Sequence, residues 1–163
     1  MNTSMQIIAI VGLLGSGLAG GIFYAFSSFI MKALGRLPPA TGINAMQSIN
    51  VVVINPSFLG LFFATAVVSV GAITVAFTQW HAPEAPYLLA GALLYLVGTF
   101  GVTARGNVPL NHRLADLAAT DPEAASFWND YLQRWTRLNT IRTVAAGAAA
   151  LMYSLALPPA GLS

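Results

Sequence analysis

The sequence predicts an all-α integral membrane four-helix bundle, and three observations carry the prediction. The chain of 163 residues is 56% hydrophobic and 7% charged, with a mean hydropathy of +0.71, which is more apolar surface than a soluble core of this size hides from water. Four stretches, Ile7 to Met31, Phe58 to Trp80, Tyr87 to Ala104 and Thr143 to Leu157, carry no charge over close to the ~20 residues a helix needs to cross ~30 Å of hydrocarbon. All seven Lys and Arg (Lys32, Arg36, Arg105, Arg113, Arg134, Arg137 and Arg142) lie in or beside the ends of the first and third connections. Positive residues stay cytoplasmic, so both termini are expected outside the cytoplasm, the host membrane being the plasma (inner) membrane.

The expected spans are 7–34, 57–80, 86–105 and 139–158, with a polar cap from 36–56 and 106–138, in one membrane domain covering 1–163. The fourth span is extended backward through Asn139 and Arg142 because an Arg near a helix end can snorkel to the interface. The opening MNTSMQ has no basic residue, and its apolar run outlasts the roughly 7 to 15 residues of a signal peptide core, so the first span is read as retained. In that span Gly12, Ser16 and Gly20 form one ridge and Gly17 and Gly21 the next, spacing that lets helices approach closely. The GSGLAG string there also matches GxGxxG, but no strand-to-helix break accompanies it and no acid precedes Glu84 to hold a ribose.

After Pro38 and Pro39, Ile43, Met46, Ile49 and Val53 recur at helical spacing. An amphipathic interfacial helix is expected in this first connection. Asn55-Pro56 ends it, leaving Gln47, Asn50 and Asn55 near the mouth of the bundle. HAPEAP between Trp80 and Tyr87 is short, so spans two and three are antiparallel neighbours. In the third connection Asn111 is read as the cap of a short helix to about Ala119. Asp121, Pro122 and Glu123 then start a helix of about 35 residues.

Residues 105–142 hold five of the seven Lys/Arg and four of the five Asp/Glu. Function has few other places to reside. Absence of Cys removes thiolate metal sites and disulfides. A net charge of +2 without a basic run excludes a nucleic-acid partner. His81 and His112, the only imidazoles, fall on opposite membrane faces in this topology, so no metal site is expected.

On the long helix Trp128, Tyr131, Trp135, Asn139 and Arg142 follow the 3 and 4 spacing of one face. Asn107, Asn111 and His112 are expected opposite, His112 four residues before Asp116, and Tyr24, Ser27 and Ser28 end the first span on the same side. Taken singly these are ordinary caps and interface anchors. Together they carry polar groups near hydrocarbon, which is costly unless they face a partner or a wet cavity.

At these residues the chain resembles the anthrone oxygenase family (DUF1772) of small four-helix membrane proteins. The resemblance rests on FYAFSSFIMKAL from Phe23, GINAMQSIN from Gly42, NVPLN from Asn107, and WxxYxxxWxxxNxxR from Trp128 to Arg142. It covers nearly the whole chain. It implies oxidation of an anthrone to an anthraquinone by dioxygen without flavin or haem, with Asn107, Asn111, His112, Trp135, Asn139 and Arg142 as the weighty positions.

The residues suit that chemistry. An anthrone methylene is acidic, and its enolate can pass an electron to dioxygen unaided, so the protein needs a base, oxyanion donors and a dry aromatic slot. His112 is the expected base, its ordinary pKa being ~6.5, with Arg142, Asn139 and Asn111 on the oxyanion. Asn107, Trp128, Tyr131, Trp135, Tyr24, Gln47, Asn50 and Asn55 are the expected substrate contacts. The partners are then a hydrophobic aromatic small molecule from the lipid bilayer and dioxygen as co-substrate, with no cofactor; homo-oligomers are left open. The alternative is a noncatalytic membrane protein holding a quinone, lipid or partner subunit in the same pocket. Transport is disfavoured, since no pair of broken helices is visible.

Overall fold

A computed structural model describes residues 3–158, and within them the chain is helical, joined by short turns. The helices are α1 (Thr3–Leu34), α2 (Pro39–Val52), α3 (Pro56–Thr78), α4 (Ala85–Ala115) and α5 (Pro122–Leu155). Prolines open four of the five, at a position whose missing N–H has no partner inside a helix anyway. Asn55 caps α3 by accepting from the Phe58 N–H at 3.0 Å. Asp121 takes the extended backbone of a cap, though its side chain makes no capping bond.

Helices α1, α3, α4 and α5 pack as a bundle, with α1 against α5 the most extensive pair and α2 lying across the end formed by α4 and α5. Helices α1, α3 and α4 are long and apolar enough to cross a membrane. This is an integral membrane protein. Helix α5, 34 residues long, is more polar because Asn139 and Arg142 interrupt its apolar half. It nonetheless lies along the three others and buries Ala145, Ala146, Ala149 and Tyr153 among them.

Close approach explains the small residues. A methyl group on Gly12 would come within 2.7 Å of the Tyr153 ring, and one on Gly98 within 2.5 Å of Ala145 Cβ. Gly20 likewise meets Ala146. The second ridge is corrected, because Gly17 and Gly21 meet nothing and lie exposed on the outer face of α1.

The third connection also differs from expectation. Asn111 caps no separate helix, since the third span runs on to Ala115. Within α4 the segments Leu94–Gly101 and Thr103–Asn107 are π-helical, as is Phe26–Ile30 in α1. Such wide turns are frequent at functional sites. All three border the same level of the bundle.

Three apolar cores succeed one another along the bundle. One at the end away from the cap gathers Met5, Ala72, Leu88 and Tyr153; a middle one gathers Phe23, Phe62 and Tyr95. The third, in the cap, gathers Met31, Ile43, Met46, Leu114, Trp128, Tyr131 and Trp135. A polar layer separates the last two.

Candidate functional site

That layer is centred on Arg142, whose side chain is 5% exposed. Its Nη2 donates to Asn139 Oδ1 at 2.6 Å and its Nη1 to Thr103 Oγ1 at 3.1 Å. The guanidinium lies over the Phe23 ring, 4.2 Å from its centroid, and 5.3 Å from that of Trp135. Its Nε is buried without a hydrogen-bond partner. No carboxylate pairs with Arg142 among the described residues; the ion pair between Arg134 and Asp130, 3.2 Å apart, is at the surface. A buried cation without a counter-charge carries a desolvation cost of several kcal/mol. An anion is its natural complement.

Asn139 positions this cation. Its Nδ2 donates to the Phe23 carbonyl at 2.6 Å and to Ser27 Oγ at 2.7 Å, at the start of the π turn of α1. Opposite, Thr103 donates to the Thr99 carbonyl at 2.8 Å while holding Arg142, and Asn107 donates to the Trp135 carbonyl at 3.1 Å. Asn107 Oδ1 is buried without a partner. Thr99, Thr103, Asn107 and Asn111 are four residues apart, and in a regular α-helix each such step overshoots the 3.6-residue turn by about 40°. The two π segments, wound more widely, take up that overshoot and keep all four toward α5.

Toward the cap the layer continues as an aromatic ladder. Trp128 stacks on Tyr131 at 5.5 Å and Tyr131 on Trp135 at 6.4 Å, with Phe26 against Trp135 at 5.5 Å. Gly42 leaves room for Trp128, since a methyl group there would lie 3.0 Å from the indole. Asn111 Oδ1 accepts from Tyr131 Oη at 2.9 Å and Trp135 Nε1 at 2.8 Å. Burial pushes the Tyr131 hydroxyl above the ordinary phenol range; Asn50 and the Arg142 charge, both nearby, oppose the rise. Asn50 Nδ2 is a third buried polar atom without a partner.

The structure therefore joins Arg142, Asn139, Asn111, Asn107, Trp135, Tyr131, Trp128 and Asn50, and leaves other expected residues out. His112 lies outside the layer, against expectation: it is exposed, and its imidazole makes no hydrogen bond to Asn139, Arg142 or Asp116, its backbone carbonyl alone accepting from the Asp116 N–H at 3.1 Å. Helical phase is the reason, since Asn107, Leu110, Asn111 and Leu114 form the inward face of α4 and residue 112 turns to the opposite side. Tyr24 is 63% exposed for the same reason on α1. Gln47 donates to the carbonyls of Leu114 and Leu117 at 2.8 and 3.0 Å, closing the end of α4, and Asn55 is a helix cap.

Sequence reasoning missed Phe23, Thr99 and Thr103. The two threonines were within reach, because their fourfold spacing leads directly to Asn107 and Asn111. Among the described residues no three His, Cys, Asp or Glu side chains come together as metal ligands. The layer is a buried cation among amides, hydroxyls and rings.

Residues 53–152, more than half of the chain, match the anthrone oxygenase family. The chain belongs to that family. The matched range of this anthrone oxygenase family member contains Thr99, Thr103, Asn107, Asn111, Tyr131, Trp135, Asn139 and Arg142, while Phe23, Ser27 and Asn50 precede it. An anthrone oxygenase-like function follows at the family level. No curated protein and no solved structure matches the chain.

Proposed function

We propose that the chain oxidises a flat, hydrophobic, anthrone-like phenol with dioxygen as co-substrate and no cofactor, the Arg142 layer holding the substrate anion. The observation that carries this reading is a guanidinium 5% exposed in a membrane bundle, with no acid beside it and Nε unpartnered. An enolate oxygen supplies the missing counter-charge, and donors fixed in a dry site stabilise developing charge far better than water does.

The reaction balances as anthrone plus dioxygen giving anthraquinone plus water. One methylene proton leaves and the enolate forms on Arg142. The enolate gives one electron to dioxygen, and the resulting carbon radical and superoxide join as a peroxide at the former methylene carbon. The peroxide takes back one proton from the cap, and loss of the second methylene hydrogen as a proton with departure of hydroxide across the O–O bond forms the new carbonyl, the two leaving as water. The layer contains no carboxylate or imidazole, so the first proton is assigned to the water-facing cap, where exposed His112 and solvent can take it. Trp128, Tyr131 and Trp135 line the side of the site toward that cap.

The setting is part of the proposal: one domain, a fourth span over about 139–158 formed mostly by the second half of α5, both termini outside the cytoplasm, in the plasma (inner) membrane. Purified protein is mixed with emodin anthrone in air-saturated buffer and quinone formation is followed by absorbance. Wild type is expected to outpace the buffer background severalfold or more, with His112→Ala within about threefold of wild type because solvent also accepts the proton. Quinone formation at the background rate would contradict the reading and favour a noncatalytic holder of a quinone, lipid or partner subunit.

A further inference from the structure

A groove of about 380 Å³ runs along the outer side of α4, lined by Leu96, Val97, Gly101, Val102, Arg105, Gly106 and Leu138. Its size falls in the range of small-molecule sites, and its walls are apolar apart from one cation. Arg105 is exposed, pairs with no acid among the described residues, and folds back over the groove floor. Its Nη1 is 3.9 Å from where a methyl group on Gly101 would stand.

The same π turn, Thr103–Asn107, serves both sides of this wall. Arg105 and Gly106 line the groove, while Thr103 and Asn107 hold Arg142 and Trp135 on the inside. Helix α5 repeats the division, with Leu138 in the groove and Asn139 on Arg142. Leu138 closes directly on Gly106, where a methyl group would stand 2.9 Å from its Cδ1. On both helices, then, residues that line the groove are chain neighbours of residues that hold Arg142.

We propose that this groove is the lateral docking site for an ionised hydrophobic phenol arriving from the membrane, Arg105 taking its oxyanion and Leu138 over Gly106 forming the gate to Arg142. Charge complementarity selects the occupant: a lone guanidinium at the end of an apolar trough fits a flat molecule with one anionic edge. The gate rests on the reading of Arg142 as the anion site, whereas docking at Arg105 can be tested without it.

Emodin, a stable hydroxyanthraquinone with ionisable phenols, is the probe, its binding to the full chain in phosphatidylcholine nanodiscs read by quenching of tryptophan fluorescence. Arg105→Gln is expected to weaken binding about tenfold, one charge-assisted contact, both alone and in an Arg142→Gln background. Gly101→Leu, which fills the floor, is expected to weaken it similarly. In turnover Arg105→Gln lowers kcat/KM through slower capture and leaves kcat within about twofold, because the docked phenol leaves Arg105 before it reacts on Arg142. Binding unchanged in both variants overturns the proposal, and so does displacement of emodin when phosphatidylglycerol replaces phosphatidylcholine, which would give Arg105 to lipid phosphate. Arg105-dependent binding without any anthrone oxidation leaves the docking site standing and removes the reaction; oxidation dependent on Arg142 but indifferent to Arg105 does the reverse.

Discussion

Asn111 shows how a single polar residue can be placed correctly by sequence and given the wrong task. It was expected opposite the long helix, as a cap and an oxyanion donor, but its role as receiver of both the Tyr131 hydroxyl and the Trp135 indole depends on tertiary contact across two helices. Replacing it with Leu strands two buried donors and is expected to cost about 2 kcal/mol or more, read as a lower midpoint in detergent melting. An unchanged midpoint would show those bonds to be dispensable. His112 is the opposite case, chosen for its chemistry although position 112 lies about 100° around the helix from 111, and that rotation carries it to the exposed face. Tyr131 adds a pH dependence. Burial raises its folded pKa above the unfolded value near ~10, so its contribution to stability is whole below about pH 10 and is lost as pH rises further. Melting midpoints measured from pH 8 to 12 should fall more steeply in wild type than in Tyr131→Phe; equal slopes would contradict this.

At the scale of helices, three of the four spans, the α2 segment and the proline-led starts were legible because they rest on local apolarity and turn chemistry. The π turns were not, since nothing local in LYLVGTFG or TARGN distinguishes a wide turn from an ordinary one. They exist where the polar spacing of four must meet α5. The glycine ridges were legible as close-approach surfaces but not as to which ridge is used. That gives a paired prediction: Gly12→Val should destabilise by about 1–3 kcal/mol by forcing the Tyr153 ring aside, while Gly17→Val should be nearly neutral. Equal effects on thermal unfolding would mean that both ridges are in contact.

For the whole molecule, the charge asymmetry that predicted topology also accounts for where the polar layer sits, since Arg105 and Arg142 mark the boundary between the apolar bundle and the cap. The chain has no cysteine, so single cysteines introduced at Thr120 and Ser4, both exposed, report sidedness cleanly. A membrane-impermeant thiol reagent applied to intact cells should label the Ser4→Cys variant and spare Thr120→Cys; the inverse pattern would overturn the orientation. The central proposal is that the layer in which Arg142 bonds Asn139 and Trp135 bonds Asn111 is the reacting site. Its most direct test is kcat for anthrone oxidation by Arg142→Gln, which keeps hydrogen-bonding capacity and removes the cation. The account predicts a fall of about a hundredfold or more with helical circular dichroism retained, and a folded Arg142→Gln protein turning over at the wild-type rate would contradict it.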